Sequence, residues 1–236
     1  MKYILSFLSY LKKPCVPQKV IQSKELAPLL WLFIFSLVIE IMFSEVFSDN
    51  KTLSSVLQSN GEKHFDDIIY KDGFIFSFIT VVILGPIIEE LIFRYYLTSF
   101  RANYVFLPIN LSIIAVELFP MAEALQFCVA IAVCLLCGLA YNSTRNNSKY
   151  EIALLKFYAK QYWIFYYCSA MVFGVIHIGN YRIQSFIPAL PLLLVLPQLY
   201  GGLLLGYVRI TKGLKWSILF HAANNLIALI MLFASK

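Results

Sequence analysis

Long apolar runs alternate with short polar segments along this chain, and each run approaches the length of about 20 residues that a membrane-spanning helix needs. The runs are residues 27–47, 73–93, 104–119, 124–141, 162–178, 186–208 and 214–234. So few residues separate the third and fourth runs, around Pro120, that the two indicate a helical hairpin. The pattern predicts an all-α fold, a polytopic membrane bundle of about seven transmembrane helices.

The segment before the first run is predicted to be an interfacial helix. Ile4, Leu8 and Leu11 share one helical face and two lysines follow them, as in amphipathic helices that lie in a membrane surface. The chain is therefore divided into an N-terminal interfacial segment, 1–26, and a transmembrane domain, 27–236, with an apparent inserted hairpin and cytoplasmic loop at 103–160.

The sixth run is rich in residues that disturb helices. It contains Pro188, Pro191 and Pro197, followed by Gly201, Gly202 and Gly206. Prolines kink a helix, and glycines let two backbones approach closely. Two interpretations stay open, which are a bent helix packed tightly against its neighbours and a break that widens a central cavity.

The composition agrees with a membrane protein. Hydrophobic residues make up 60% of the 236 residues and charged residues 14%, and the mean hydropathy is +0.75. A soluble domain would carry about 25% charged residues. Four of the five cysteines lie in apolar runs and are interpreted as buried small apolar residues, namely Cys128, Cys134, Cys137 and Cys168.

The basic residues indicate an orientation in the membrane and not nucleic-acid binding. The net charge is +6, and Lys and Arg concentrate in the N-terminal segment and in the loops after the fourth and sixth runs. In a seven-span chain these regions share one side, which basic loops identify as cytoplasmic. We expect a multi-pass protein of the cell membrane with a cytoplasmic N-terminus, whose partners include the lipid bilayer and no nucleic acid.

Three ionisable residues interrupt the second run, namely Glu89, Glu90 and Arg94. An ionisable group at bilayer depth costs roughly 2.5–3.5 kcal/mol by insertion scales, and it is a functional-site hypothesis by default. Glu90 and Arg94 are four residues apart and can pair on one helix face. Glu89 is rotated by about 100° and stays available as a general base. The alternative is a structural Glu–Arg pair that joins two helices.

Two of the three histidines also lie in apolar runs. His177 ends the fifth run, where a single histidine is more often a satisfied core residue. His221 and Asn225, four apart in the seventh run, can present donors to one point, which a developing oxyanion requires. A base, two imidazoles and an amide can activate water and stabilise a tetrahedral intermediate, so peptide-bond hydrolysis is the expected reaction. No G-x-S-x-G nucleophile motif occurs.

These residues form three motifs in a fixed order. Glu89 to Arg94 reads E-E-x-x-x-R, Phe173 to His177 reads F-x-x-x-H, and His221 to Asn225 reads H-x-x-x-N. The ordered set resembles the CAAX protease and bacteriocin-processing (CPBP) family of intramembrane endopeptidases.

The resemblance implies roles for the motif residues. They are activation of a water molecule by Glu89 and His177, an oxyanion hole formed by His221 and Asn225, and support from Glu90 and Arg94. The family also allows a metal-dependent reaction, in which His177, His221 and Glu89 would bind zinc, because two histidines and a carboxylate are a common catalytic set. H-E-x-x-H is absent, so the glutamate mechanism without a cofactor is the favoured expectation and zinc is the alternative.

By this resemblance the chain is expected to be an intramembrane endopeptidase. Its substrate would be a membrane-associated peptide or a lipidated protein, of the prenylated CAAX type or bacteriocin-like. A non-catalytic membrane protein that binds a peptide, such as an immunity protein, is one alternative. A transporter is a weaker alternative, because the two similar halves with broken helices that many transporters share are not evident in the sequence.

Overall fold

The computed structural model describes residues 2–16, 27–49, 61–63, 69–118, 123–145, 147–183 and 190–234. The principal helices are α1 (Lys2–Lys12), α2 (Ala27–Asp49), α3 (Phe74–Leu97), α4 (Asn103–Leu118), α5 (Glu123–Arg145), α6 (Ser148–Lys160), α7 (Tyr162–Ile176), α8 (Leu190–Leu194), α9 (Leu196–Lys212) and α10 (Leu214–Ala234). The predicted all-α membrane bundle is confirmed. Two short strands are added to it, β1 (Gly61–Lys63) and β2 (Tyr181–Ile183), which pair antiparallel and bring the chain before α3 next to the chain after α7.

Three helices among the described residues are long and apolar enough to cross a membrane, namely Phe74–Leu97, Tyr162–Asn180 and Leu214–Ala234. They match the second, fifth and seventh predicted runs, and they contain every predicted site residue. A shorter apolar stretch, Ala27–Phe43, belongs to α2. The third and fourth runs are helical as α4 and α5, which pack against each other. The residues that connect them, 119–122, lie outside the described part of the chain.

The sixth predicted run is not one continuous helix. Its described part forms α8 and α9, separated at Val195, whose backbone departs from helical geometry with φ −100° and ψ 9°. Pro197 follows in the first turn of α9, where its missing N–H breaks no helical hydrogen bond. The proline therefore starts a new helix and does not merely bend a long one. Residues 186–189 of this run lie outside the described residues.

Helices α7 and α9 run antiparallel at very close range because glycines line their contact. A Cβ atom built on Gly202 would lie 2.9 Å from Cα of Ala170, and one on Gly206 would lie 3.0 Å from Cε2 of Tyr166. Real Cβ atoms do not approach a neighbour's backbone this closely. The glycines of the sixth run thus support tight packing, which was one of the two interpretations of that run.

Helix α1 docks its apolar face onto the bundle. Phe7 is completely buried and packs against the rings of Tyr200 and Tyr207. The hydroxyls of Ser6 and Tyr207 are 2.8 Å apart, and Tyr167 donates to the carbonyl of Leu11. The rest of the predicted interfacial segment, residues 17–26, lies outside the described part.

The prediction of buried cysteines is wrong for three of the four in the apolar runs. Cys128, Cys134 and Cys168 are exposed free thiols, and Cys137 is half-buried. The face of α5 that carries Cys134 also exposes Leu135, so it points away from the bundle. In a membrane protein an outward apolar face meets lipid, which hydropathy alone does not distinguish from the protein interior.

Side chains from four other helices hold the C-terminal end of α3. A helix leaves its last carbonyls without backbone donors, and here side chains supply the hydrogen bonds. The donors and acceptors are Asn110 to Ile92 (2.9 Å), Ser169 to Phe93 (2.6 Å), Arg209 to Arg94 (3.4 Å), Tyr158 to Tyr96 (2.9 Å) and Tyr162 to Leu97 (2.9 Å). These donors belong to α4, α6, α7 and α9, so the helix segment that carries the predicted carboxylates is fixed from several sides.

Candidate active site

Glu90 and Arg94 form the ion pair that their spacing predicts. Nη1 of Arg94 donates to Oε1 of Glu90 over 2.6 Å, and both side chains are 0% exposed. The guanidinium of Arg94 also lies over the ring of Phe173, with Cζ 4.0 Å from the ring centroid. The pair therefore occupies the protein interior and not the lipid.

Glu90 accepts two further contacts, both from α10. The hydroxyl of Ser217 donates to Oε2 over 2.7 Å, and Nδ1 of His221 lies 3.2 Å from Oε1. A carboxylate that pairs with arginine is ionised and can only accept hydrogen bonds, so Nδ1 of His221 carries the proton. Both oxygens of Glu90 are thus engaged. Ser217 was missed in the sequence, although its position four residues before His221 places both on one face of α10.

Glu89 is in a different situation from its neighbour. Its side chain is 28% exposed, and Oε2 lies 3.7 Å from Nε2 of His221, which is too far for a direct hydrogen bond. Oε2 is buried and has no hydrogen-bond partner among the described residues. A Cβ atom built on Gly85 would lie 3.7 Å from Oε1, so this carboxylate folds back along α3. As the spacing predicts, Glu89 does not belong to the Glu90–Arg94 pair.

His177 begins a short 3₁₀ turn, His177–Asn180, directly after α7. Its Nδ1 lies 2.6 Å from the carbonyl oxygen of Phe173, so Nδ1 carries a proton and Nε2 is the nitrogen left for other partners. The imidazole is close enough to Glu89 and His221 to interact electrostatically with both. The predicted convergence of α3, α7 and α10 on one site is consistent with these contacts.

Phe173 connects the three helices at this site. Its ring centroid lies 4.7 Å from that of His177 and 5.6 Å from that of His221, in addition to its contact with Arg94. The ring is almost completely buried. The first residue of the F-x-x-x-H motif is therefore a packing surface shared by both imidazoles and the guanidinium.

Asn225 lies one turn beyond His221 and contacts an unusual part of α3. Residues Phe78–Leu84 are π-helical, and the N–H of Gly85 donates five residues back to the carbonyl of Thr80. In the same register the next residue, Pro86, would serve the carbonyl of Val81, but proline has no N–H. Nδ2 of Asn225 donates to that carbonyl over 2.9 Å. An amide carries two N–H groups, so this bond orients Asn225 and uses one of them.

The donor set was tested for a metal ion. The described His, Cys, Asp and Glu side chains form no group of three that could hold one. His177, His221 and Glu89 share a region, but as placed they do not fit the zinc site that was the alternative expectation.

Comparison with known protein families gives one match. A family model described as "Type II CAAX prenyl endopeptidase Rce1-like" matches residues 71–149 and 150–227. These segments make up more than half of the chain, and they include all three motifs and the region predicted as an inserted hairpin and loop. No curated protein and no solved structure matches the chain.

Proposed function

Because the chain belongs to the type II CAAX prenyl endopeptidase Rce1-like family of membrane-embedded proteases, we propose that it hydrolyses a peptide bond near the C-terminus of a prenylated peptide through a water molecule activated by Glu89. The earlier resemblance to CAAX proteases, drawn from three motifs, is confirmed at the level of the family. Substrate and mechanism are our proposal, and the following contacts support them.

The observation that carries the proposal is the free oxygen of Glu89. A buried carboxylate oxygen without a donor is costly, and a water molecule can supply the missing bond. Since Arg94, Ser217 and His221 occupy both oxygens of Glu90, Glu89 is the carboxylate left to accept a proton. His177, whose Nε2 is not used by its backbone bond, is the second group proposed to hold this water.

In the proposed reaction the water oxygen attacks the carbonyl carbon of the scissile bond while Glu89 takes one of its protons. The carbonyl oxygen becomes an oxyanion, which the N–H groups of His221 and Asn225 stabilise. His221 must carry a proton on Nε2 to donate there, and Glu90 offsets the positive charge that results. When the C–N bond breaks, the proton held by Glu89 passes to the leaving amine.

The reaction is proposed to need no metal ion. Glu89 with His177 supplies a base, and no step requires a Lewis acid. A metal-bound water is the second route by which a membrane protease could act, but the described side chains do not form a site for the ion.

The site is proposed to open toward the cytoplasm, in a cell-membrane protein with a cytoplasmic N-terminus. Arg94, Arg209 and Lys212 lie toward one end of the bundle, where α3 ends and α9 turns into α10. Basic residues favour the cytoplasmic side and can attract the terminal carboxylate of a peptide tail. An extended tail entering from this end would reach Glu89 without crossing the other leaflet.

The experiment uses the purified full chain in liposomes with a synthetic peptide that ends in a prenylated C-a-a-X sequence. Mass spectrometry should detect a released C-terminal fragment with the wild type and none with Glu89→Gln. The unprenylated peptide is the control for the lipid requirement. Recovery of intact peptide bound to the folded wild type would contradict proteolysis and favour a non-catalytic peptide-binding or immunity protein.

A further inference from the structure

Ser217 makes an unusual contact for a serine inside an apolar helix. Such a serine normally donates to a carbonyl one turn back in its own helix. The carbonyl of Leu214 is available to Ser217 at 3.3 Å, but Oε2 of Glu90 lies closer, at 2.7 Å. A hydroxyl has one hydrogen, and a charged acceptor makes the stronger bond. The hydrogen of this completely buried hydroxyl is therefore directed across the helix interface to Glu90.

The contact has a consequence for how Glu90 meets Arg94. A guanidinium and a carboxylate commonly pair through two parallel hydrogen bonds. Here Arg94 donates only through Nη1 to Oε1 of Glu90, while its Nε and Nη2 are buried without a partner among the described residues. Because Ser217 occupies Oε2, the carboxylate does not swing into the doubly bonded arrangement.

The position of Glu90 in turn decides which nitrogen of His221 faces the site. Oε1 of Glu90 accepts from Nδ1 of His221, so Nδ1 is the protonated nitrogen of the neutral imidazole. Nε2 then points toward Glu89. If Glu90 turned to bind Arg94 through both oxygens, its bond to His221 would be lost and the imidazole could carry its proton on either nitrogen.

We propose that Ser217 is a positioning residue for the reaction, because it holds Glu90 in a singly bonded pair with Arg94 and so keeps His221 in one tautomer. The proposal rests on the proposed function for its effect on the reaction rate. The arrangement of His221 can be measured separately on the resting protein. Ser217 acts through Glu90 and does not contact the reacting atoms.

The tautomer of His221 can be read by nitrogen NMR. The chain has three histidines, so labelling with ¹⁵N-histidine gives few signals, which His64→Gln and His177→Gln assign. At a pH where His221 is neutral, the wild type should show a single Nδ1–H form. Ser217→Ala should show a mixture of Nδ1–H and Nε2–H forms.

Rates on the prenylated peptide give the second measurement. Loss of a hydrogen bond to a charged group corresponds to about a tenfold change or more, so Ser217→Ala should lower kcat by about tenfold with KM changed by less than about twofold. The matched control is Ser36→Ala, which also removes a buried hydroxyl, one that bonds within its own helix to Phe33. This control should keep the wild-type kcat and the single tautomer.

A third variant separates position from charge. In Glu90→Gln the amide oxygen can still accept from Arg94 and His221, while the amide N–H can donate to Ser217. The tautomer of His221 should therefore persist while kcat falls, because the charge that offsets protonated His221 is gone.

The possible outcomes are distinct. An Nε2–H form in the wild type, or a Ser217→Ala variant with an unchanged tautomer and the kcat of Ser36→Ala, would overturn the proposal. A wild type with the single Nδ1–H form that cleaves no peptide would overturn the proposed function, and with it the catalytic part of this proposal, but would support the arrangement of Ser217, Glu90 and His221.

Discussion

Glu89 and Glu90 are adjacent in the sequence but have opposite environments, because Glu90 is enclosed by three polar partners while one buried oxygen of Glu89 has none among the described residues. One residue of rotation along α3 separates a carboxylate that organises its surroundings from one that can react. The same pair of residue types therefore serves two roles, and substitutions should separate them.

Glu89→Ala is expected to abolish peptide hydrolysis and leave the protein folded. Its charge is partly exposed and has no close cationic partner that would be left uncompensated. Glu90→Ala is expected to destabilise the protein, because removing one partner of a buried ion pair costs roughly 3–5 kcal/mol. Activity on the prenylated peptide and thermal unfolding in detergent measure the two effects. A folded Glu89→Ala variant with full activity would show that another group is the base.

The bond from Asn225 to the carbonyl of Val81 should depend on Pro86. Asn225→Leu removes the donor and is expected to cost about 1–3 kcal/mol, the penalty for an unsatisfied buried group. Pro86→Ala restores a backbone N–H at the position from which the π register would serve Val81. In a double-mutant cycle, Asn225→Leu should therefore cost less in the Pro86→Ala background. Equal costs in both backgrounds would contradict the explanation given for this contact.

Two neighbouring glycines of α9 should respond in opposite ways to alanine. Gly202→Ala would place a Cβ atom against the backbone of Ala170, and overpacking of this kind costs typically about 1–3 kcal/mol. Gly201→Ala meets nothing within 4 Å and should be neutral or stabilise by up to about 1 kcal/mol through helix propensity. Thermal unfolding of the two variants in the same detergent checks this. Equal destabilisation would mean that α7 and α9 are not in close contact there.

Treatment with a strong chelator is expected to leave hydrolysis of the prenylated peptide unchanged. The reason is the proposed base, since Glu89 and His177 can activate water without a Lewis acid. The measurement is the cleavage rate before and after chelation and dialysis. Loss of activity that zinc restores would instead favour the metal-dependent route, and His177→Ala should then also weaken zinc binding.

Spacing along single helices predicted a large part of the site. The four-residue interval between Glu90 and Arg94 gave their ion pair, and the cost of charge in a membrane indicated that the segments carrying Glu89, His177 and His221 meet in the interior. Both inferences need only helical geometry and an energy scale. For this reason they could be made without knowing which helix packs against which.

Other features depend on contacts between helices and were not predictable in this way. Ser217 resembles any serine in an apolar helix until Glu90 is seen opposite it. The π-helical turn of α3 leaves no mark on hydrophobic periodicity, although Pro86 inside the helix is its visible trace. The break at Val195 was one of two open interpretations for a run rich in proline. In each case the deciding partner is distant in the sequence.

The side chains that hold the end of α3 limit how small this protease can be made. A shortened version built from α3, α7, α9 and α10 would retain every proposed reacting group. It would lack Asn110 of α4 and Tyr158 of α6, so the carbonyls of Ile92 and Tyr96 would lose the side-chain donors that they have here. Hydrocarbon offers no replacement for a lost donor, and each unsatisfied group there costs several kcal/mol. Helices without any chemistry of their own are thus part of the smallest functional unit.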